Sequence, residues 1–153
     1  MKVNTTRFGV LEINDSSVIT MPNGPLGFDS HTRFLLLQDH VDARFRWLQS
    51  IDEPSLAFAV VDPSLVTENY EVEIPDGEAE KLHLAHEGDA MVLAILTLEE
   101  GKLTANLAAP VIINSNELIG AQVVGQDHRY AVDEPLSRLH RSKAIKEKSL
   151  KAA

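Results

Sequence analysis

An all-β fold is what this chain predicts: a mostly antiparallel, barrel-like domain with one or two short helices. Three observations carry that expectation. Apolar runs recur at strand length, residues 56–61 and 91–98 being continuous enough to be covered on both faces. Turn-forming Gly, Pro, Asn and Asp separate nearly all of these runs. Between Thr104 and Val124 the runs Val111-Ile112-Ile113 and Ala121-Gln122-Val123-Val124 flank a connection rich in Asn, Ser and Gly, which predicts a central hairpin.

The elements follow in order. Residues 7–13 alternate like a strand, residues 14–17 turn, and 18–21 resume the sheet. Pro22-Asn23-Gly24-Pro25-Leu26-Gly27-Phe28 is a structured loop, since Pro fixes φ and Gly opens left-handed angles. It lacks the GxGxxG spacing and the Gly-Lys-Ser/Thr end that phosphate cradling requires. Strands are predicted at 32–38, 44–50 and 56–61, with Trp47 in the core or half-buried and its indole N–H seeking an acceptor. Residues 70–74 alternate strictly and predict a strand whose Glu71 and Glu73 share one solvated face. A helix of about two turns is expected over 78–84, capped by Asp76. Strand 91–98 then turns through Glu99-Glu100-Gly101-Lys102 toward the central hairpin. Phe58, Val60, Ile95, Ile112 and Val123 are the expected core. Asn106, Asn114 and Gln122 set amides on and beside the hairpin. They either pin turns and edges, the commoner role, or present donors and acceptors to a partner.

At 153 residues the chain fits one domain, expected over 1–136, followed by a basic, partly helical tail over 137–153. The tail holds six bases and one acid, leaving eight bases against twenty-two acids over 1–136, a net of −14. So acidic a body repels phosphate backbones, which argues against direct nucleic-acid binding and suits a basic protein partner or simple solubility. With no cysteine there is no disulfide framework, thiolate metal site or cysteine nucleophile. No apolar run approaches the ~20 residues of a membrane span, and no signal-peptide pattern opens the chain, so the expected location is the cytoplasm.

Catalytic signatures are not found: there is no GxSxG elbow and no serine in a triad context. Asp52 and Asp62 sit beside prolines as turn residues do. His83 and His86, three apart, would share a helical face as metal ligands only if the helix ran through both. With His128 they define the alternative reading, a small β-barrel that binds a ligand or metal. The expectation is a protein that is not an enzyme and has no cofactor.

Three stretches taken together resemble the FliW family of bacterial flagellar assembly factors. They are MPNGPLGFDS from Met21, RFRWLQSIDEPSLAFAVVDPSLV from Arg44 and LTANLAAPVIINSNELIGAQVV from Leu103, joined by the closing YAVDEPL from Tyr130. The family's first loop usually reads Gly-Leu-Pro-Gly or Gly-Ile-Pro-Gly, whereas here proline precedes leucine. The resemblance covers nearly all of residues 5–136 and transfers nothing to the tail. It implies a cytosolic protein, monomeric when free, that binds newly made flagellin. It also implies binding to CsrA, a small dimeric RNA-binding repressor of flagellin translation, which the protein antagonises by partner switching. Asn106, Asn114 and Gln122 are the candidate partner contacts, and Glu71 and Glu73 the candidate face repelling RNA.

Overall fold

Short strands dominate because the apolar runs are short and Gly, Asn and Pro interrupt them. In the computed structural model, which describes residues 1–126 and 128–136, eleven strands and one α-helix are present. Strands β1 (Lys2–Thr5) and β2 (Gly9–Glu12) form a separate hairpin. The expected strand at 7–13 is thus confined to β2, and β1 was not anticipated. Thr5 organises the turn: its Oγ1 donates to Gly9 O at 2.8 Å and accepts from Phe8 N at 2.8 Å.

The main sheet runs β10 (Gly120–Gln122), β9 (Val111–Asn114), β7 (Ala90–Glu99), β6 (Ala57–Val61), β5 (Phe45–Ser50), β4 (Arg33–Gln38) and β3 (Ile19–Thr20), all neighbours antiparallel. β8 (Lys102–Ala105) pairs with the second half of β7, and β9 with its first half. The β7–β8 hairpin turns through Glu100 and Gly101, whose φ of 50° and 77° match the mirror-image turn that right-twisted strands favour. β11 (Glu134–Pro135) adds to β8.

The fold is all-β, but it is not the closed barrel that its strands suggested. Among the described residues the two ends of the sheet share a single backbone bridge, parallel, between Thr20 and Ile119, where Thr20 N donates to Leu118 O at 2.9 Å. One bridge is a seam and not a ladder. β3 is two residues long because Pro22 follows within two positions and cannot donate to a partner strand.

Strand alternation sorts the core. Phe34, Leu48, Val60, Leu93 and Ile113 pack on one side of the curled sheet. Trp47, Ala59, Ala94, Leu103 and Leu136 pack on the other. A third cluster of Leu82, Ile112 and Val123 lies under residues 72–84. Of the expected core, Val60, Ile112 and Val123 are buried, whereas Phe58 and Ile95 are half-buried at the margin of the first cluster. Trp47 is fully buried, with Nε1 donating to Asp39 Oδ1 at 3.1 Å and the Arg7 guanidinium 3.8 Å above its ring. The expectation for the tail at 137–153 falls outside the described residues.

Candidate functional site

Residues 70–74 pair with no strand. Their alternation still holds as burial: Val72 and Ile74 lean on the third cluster, while Glu71 and Glu73 are exposed. One-sided contact produces the same period-two pattern as a ladder, so the expected strand is corrected to a covering segment. Its leading end is fastened twice. Tyr70 Oη donates to Leu107 O at 2.7 Å, and Glu71 N donates to Tyr130 Oη at 3.0 Å. The two tyrosine rings lie 4.5 Å apart. Burial pushes the Tyr70 hydroxyl up to about 12, with Tyr130 adding to the effect.

Helix α1 (Asp76–Lys81) follows. Pro75, not Asp76, holds the cap position, and its carbonyl accepts from Glu78 N and Ala79 N at 2.9 Å each. A proline there fixes the entering angle, so Asp76 becomes the first helical residue. The helix ends sooner than expected because His83 turns left-handed, with φ of 56°. His83 N donates to Glu80 O, and Leu84 N to Ala79 O, both at 3.0 Å. That is a Schellman stop with histidine where glycine is usual. His83 and His86 are therefore not on one helical face, and His83 Nδ1 lies 3.2 Å from Glu117 Oε1. Among the described residues no group of three or more His, Asp or Glu side chains is placed to hold a metal.

Asn114 locks this stop. Buried at the end of β9, its Nδ2 donates to Leu82 O at 2.9 Å and His83 O at 3.1 Å. Its Oδ1 accepts from Asn116 N at 2.9 Å and Glu117 N at 3.0 Å. Ser115 and Asn116 extend the clamp to Asp89. Asn106 works in the same way at the opposite end. Its Oδ1 accepts from Ala108 N and Ala109 N at 3.1 and 3.0 Å, which shapes the excursion that offers Leu107 O to Tyr70.

These segments enclose a groove of ≈ 1160 Å³. Its floor includes Val72, Leu84 and Val92, and its sides carry Glu71, Glu73, Asp76 and Glu87 against Arg129. Glu71 and Glu73 are legible in the sequence as an exposed pair, but the groove is not, being assembled from residues 70–76 and 79, 84–87, 90 and 92, with Gln126 and Arg129. Asn106 and Asn114 do not line it: Asn114 bonds the carbonyls of Leu82 and His83 just before the lining residue Leu84, and Asn106 shapes the turn whose Leu107 carbonyl anchors Tyr70. Gln122 stands apart. Its Oε1 accepts from Leu26 N and its Nε2 donates to Ala109 O, both at 2.9 Å, which ties the 22–28 loop to β10. That loop needs Gly24, where a Cβ would sit 2.2 Å from Phe28 O. It leaves Leu26 52% and Phe28 38% exposed.

The strand path, the 22–28 loop and the two asparagine clamps fall in the stretches that carry the family resemblance. The family model described as FliW protein matches residues 2–136. The flagellar assembly factor FliW of Syntrophus aciditrophicus is 39% identical over 134 residues, covering 86% of this chain and 85% of that protein. Its counterpart in Geobacter sulfurreducens is 37% identical over 147 residues, covering 94% and 92%. A crystal structure of the flagellar assembly factor FliW superposes with a TM-score of 0.83 at 32% identity, covering 89% of this chain and 96% of that one. With the family model matched over residues 2–136 and both sequence and fold shared along most of the chain, this chain belongs to the FliW family of flagellar assembly factors.

Proposed function

We propose that the chain is a non-enzymatic partner switch of the cytoplasm, monomeric when free, that binds flagellin and antagonises CsrA. Freed of flagellin, it occupies CsrA and relieves repression of flagellin translation; when flagellin accumulates, it is drawn back. The observation that carries this reading is family membership across residues 2–136. The groove supports it, because a surface with four carboxylates and one guanidinium favours a basic protein and repels RNA held nearby. Glu71 and Glu73 form the repelling rim. Asn106, Asn114 and Gln122 enter binding by fixing the surfaces on either side of the central hairpin.

The test is a titration of the full chain against CsrA and against flagellin, alone and in competition. Both bind, and flagellin lowers the fraction held by CsrA. Raising salt slows association with CsrA more than with a less basic flagellin surface. Glu71→Gln with Glu73→Gln lowers the CsrA association rate by about two- to tenfold at low salt. If the folded wild-type chain binds neither partner at micromolar concentration, the reading fails.

A further inference from the structure

Asparagine followed by glycine is the dipeptide in which a chain most readily modifies itself, because glycine has no Cβ to keep its nitrogen from the neighbouring amide. Asn23-Gly24 is the one such pair in the sequence, and it lies in the 22–28 loop. Asn23 is exposed, and no described residue bonds its side chain. Asn114, which precedes the small residue Ser115, is instead buried with both ends of its side chain bonded.

The chemistry needs only water. The Gly24 nitrogen gives up its proton and attacks Cγ of Asn23. The Cγ–Nδ2 bond breaks, and Nδ2 leaves as ammonia with that proton, which closes an imide. Water then cuts the imide on either side of the Gly24 nitrogen. Cutting at Cγ leaves aspartate. Cutting at the original backbone carbonyl leaves isoaspartate, with the chain rerouted through Cβ and Cγ.

The fold opposes the first step. Gly24 N donates to Met21 O at 2.9 Å, closing a turn with Pro22 and Asn23 at its corners. The nitrogen that must attack thus spends its N–H on a carbonyl. Gly24 is also buried, and a Cβ there would lie 2.2 Å from Phe28 O, 2.9 Å from Asp29 Cα and 3.0 Å from His31 O. Its backbone is wedged against residues 28–31. Around this wedge, Met21 N donates to Thr32 O and Phe28 N to Pro25 O, both at 2.8 Å, and Leu26 N to Gln122 Oε1 at 2.9 Å. Swinging the Gly24 nitrogen onto Cγ requires this packing to give way.

We infer that Asn23-Gly24 is a deamidation site that the folded loop holds shut, reacting only through opening of residues 21–28 and leaving an isoaspartate that the loop cannot close around. Isoaspartate adds a backbone carbon between Met21 O and Gly24 N, and the wedge at Gly24 leaves no slack to absorb it. With the ammonia gone, water does not restore the amide, so an opening that reacts is recorded permanently. The Gln122 clamp sets how rare such openings are, because local opening is governed by the bonds that hold the segment.

The test incubates the full chain in warm, mildly alkaline buffer, folded and in guanidinium chloride, and follows the tryptic peptide 8–33 by mass spectrometry. Conversion of amide to acid at residue 23, located by fragmentation, should be at least about tenfold slower in the folded chain. Gln122→Ala, first shown by a melt to be folded, should raise the folded rate about three- to tenfold and leave the denatured rate unchanged. After refolding, the isoaspartate form should keep fast amide exchange at Gly24 and Leu26, where the unreacted chain is slow. Equal rates in the two states, a faster reaction in the folded chain, or no conversion at residue 23 in guanidinium overturns the inference. So does a folded Gln122 variant that reacts at the wild-type rate, or an isoaspartate form that regains protection. The wild-type comparison stands by itself should the variant not fold. No readout involves a partner, so neither result touches the partner-switch reading.

Discussion

The two halves of β7 are covered by different means. Its second half lies under the β8 hairpin and β11, with Leu96, Leu103, Ala105 and Leu136 closing a dry apolar contact. Its first half pairs with β9, but its outer face is covered by residues 70–89, which add no strand to the sheet. Apolar contact supplies only part of that attachment; the rest comes from side-chain amides, a tyrosine hydroxyl and a Schellman stop. Burial energy accumulates without regard to direction, whereas hydrogen bonds fix position. A groove wall that must keep carboxylates at its rim cannot be buried outright, so it is held by directional bonds instead.

The largest effect should come from the apolar part of the molecule. Leu103→Ala removes a buried side chain from the apolar contact over the second half of β7 and should cost about 2–5 kcal/mol in a denaturant melt. A loss below about 0.5 kcal/mol, the scale of surface substitutions, would erase the contrast between the halves. Asn114→Ala should cost less, about 1–3 kcal/mol, by leaving buried backbone groups without partners. The damage should also be local, with faster hydrogen exchange over residues 82–89 and unchanged protection in β4–β6. Global loss of protection would mean that the wall is part of the cooperative core.

Tyr70→Phe is the mildest of the three, about 0.5–1.5 kcal/mol, for one hydrogen bond to Leu107 O. It carries a distinct pH signature. Ionisation of Tyr70 is pushed from the ordinary 10.0 to about 12 in the folded chain by burial first and Tyr130 second. The folded state thus holds that proton more tightly than the unfolded one. The contribution is complete below about pH 10 and is lost as pH rises through about 12. Alkaline titration of tyrosinate absorbance should lose its highest transition in the phenylalanine variant, and an unchanged curve would refute the assignment.

How far the sequence was legible follows the same divide. β4 to β7 could be read because continuous apolar runs between turn signals have few other uses. β1 was invisible, since the run is only four residues long, Lys2 and Asn4 disfavour strands, and the hairpin depends on the Thr5 hydroxyl. Residues 70–74 misled because alternation reports a covered face, not a paired edge. The asparagines were legible as turn formers. That Asn114 reaches the carbonyls of Leu82 and His83 was not, for no local pattern encodes a bond across more than thirty positions. The carboxylates at 71 and 73 were correctly taken as one solvated face, while the groove they border needed three distant segments brought together.

The seam between Thr20 and the approach to β10 bears on the order of events in folding. Neighbouring strands from β4 to β6 are joined through short connections and can zip in succession. The seam and the Gln122 clamp on Leu26 instead unite segments nearly a hundred positions apart, 96 in the case of the clamp. Loop closure over that span brings little reward until the intervening strands are in place, which makes this contact a late step. A ribbon that has not yet joined its ends keeps β3 and β10 as open edges, each able to pair with a second unfinished chain. The shortness of both strands, two and three residues, limits how much of such a template is ever on offer.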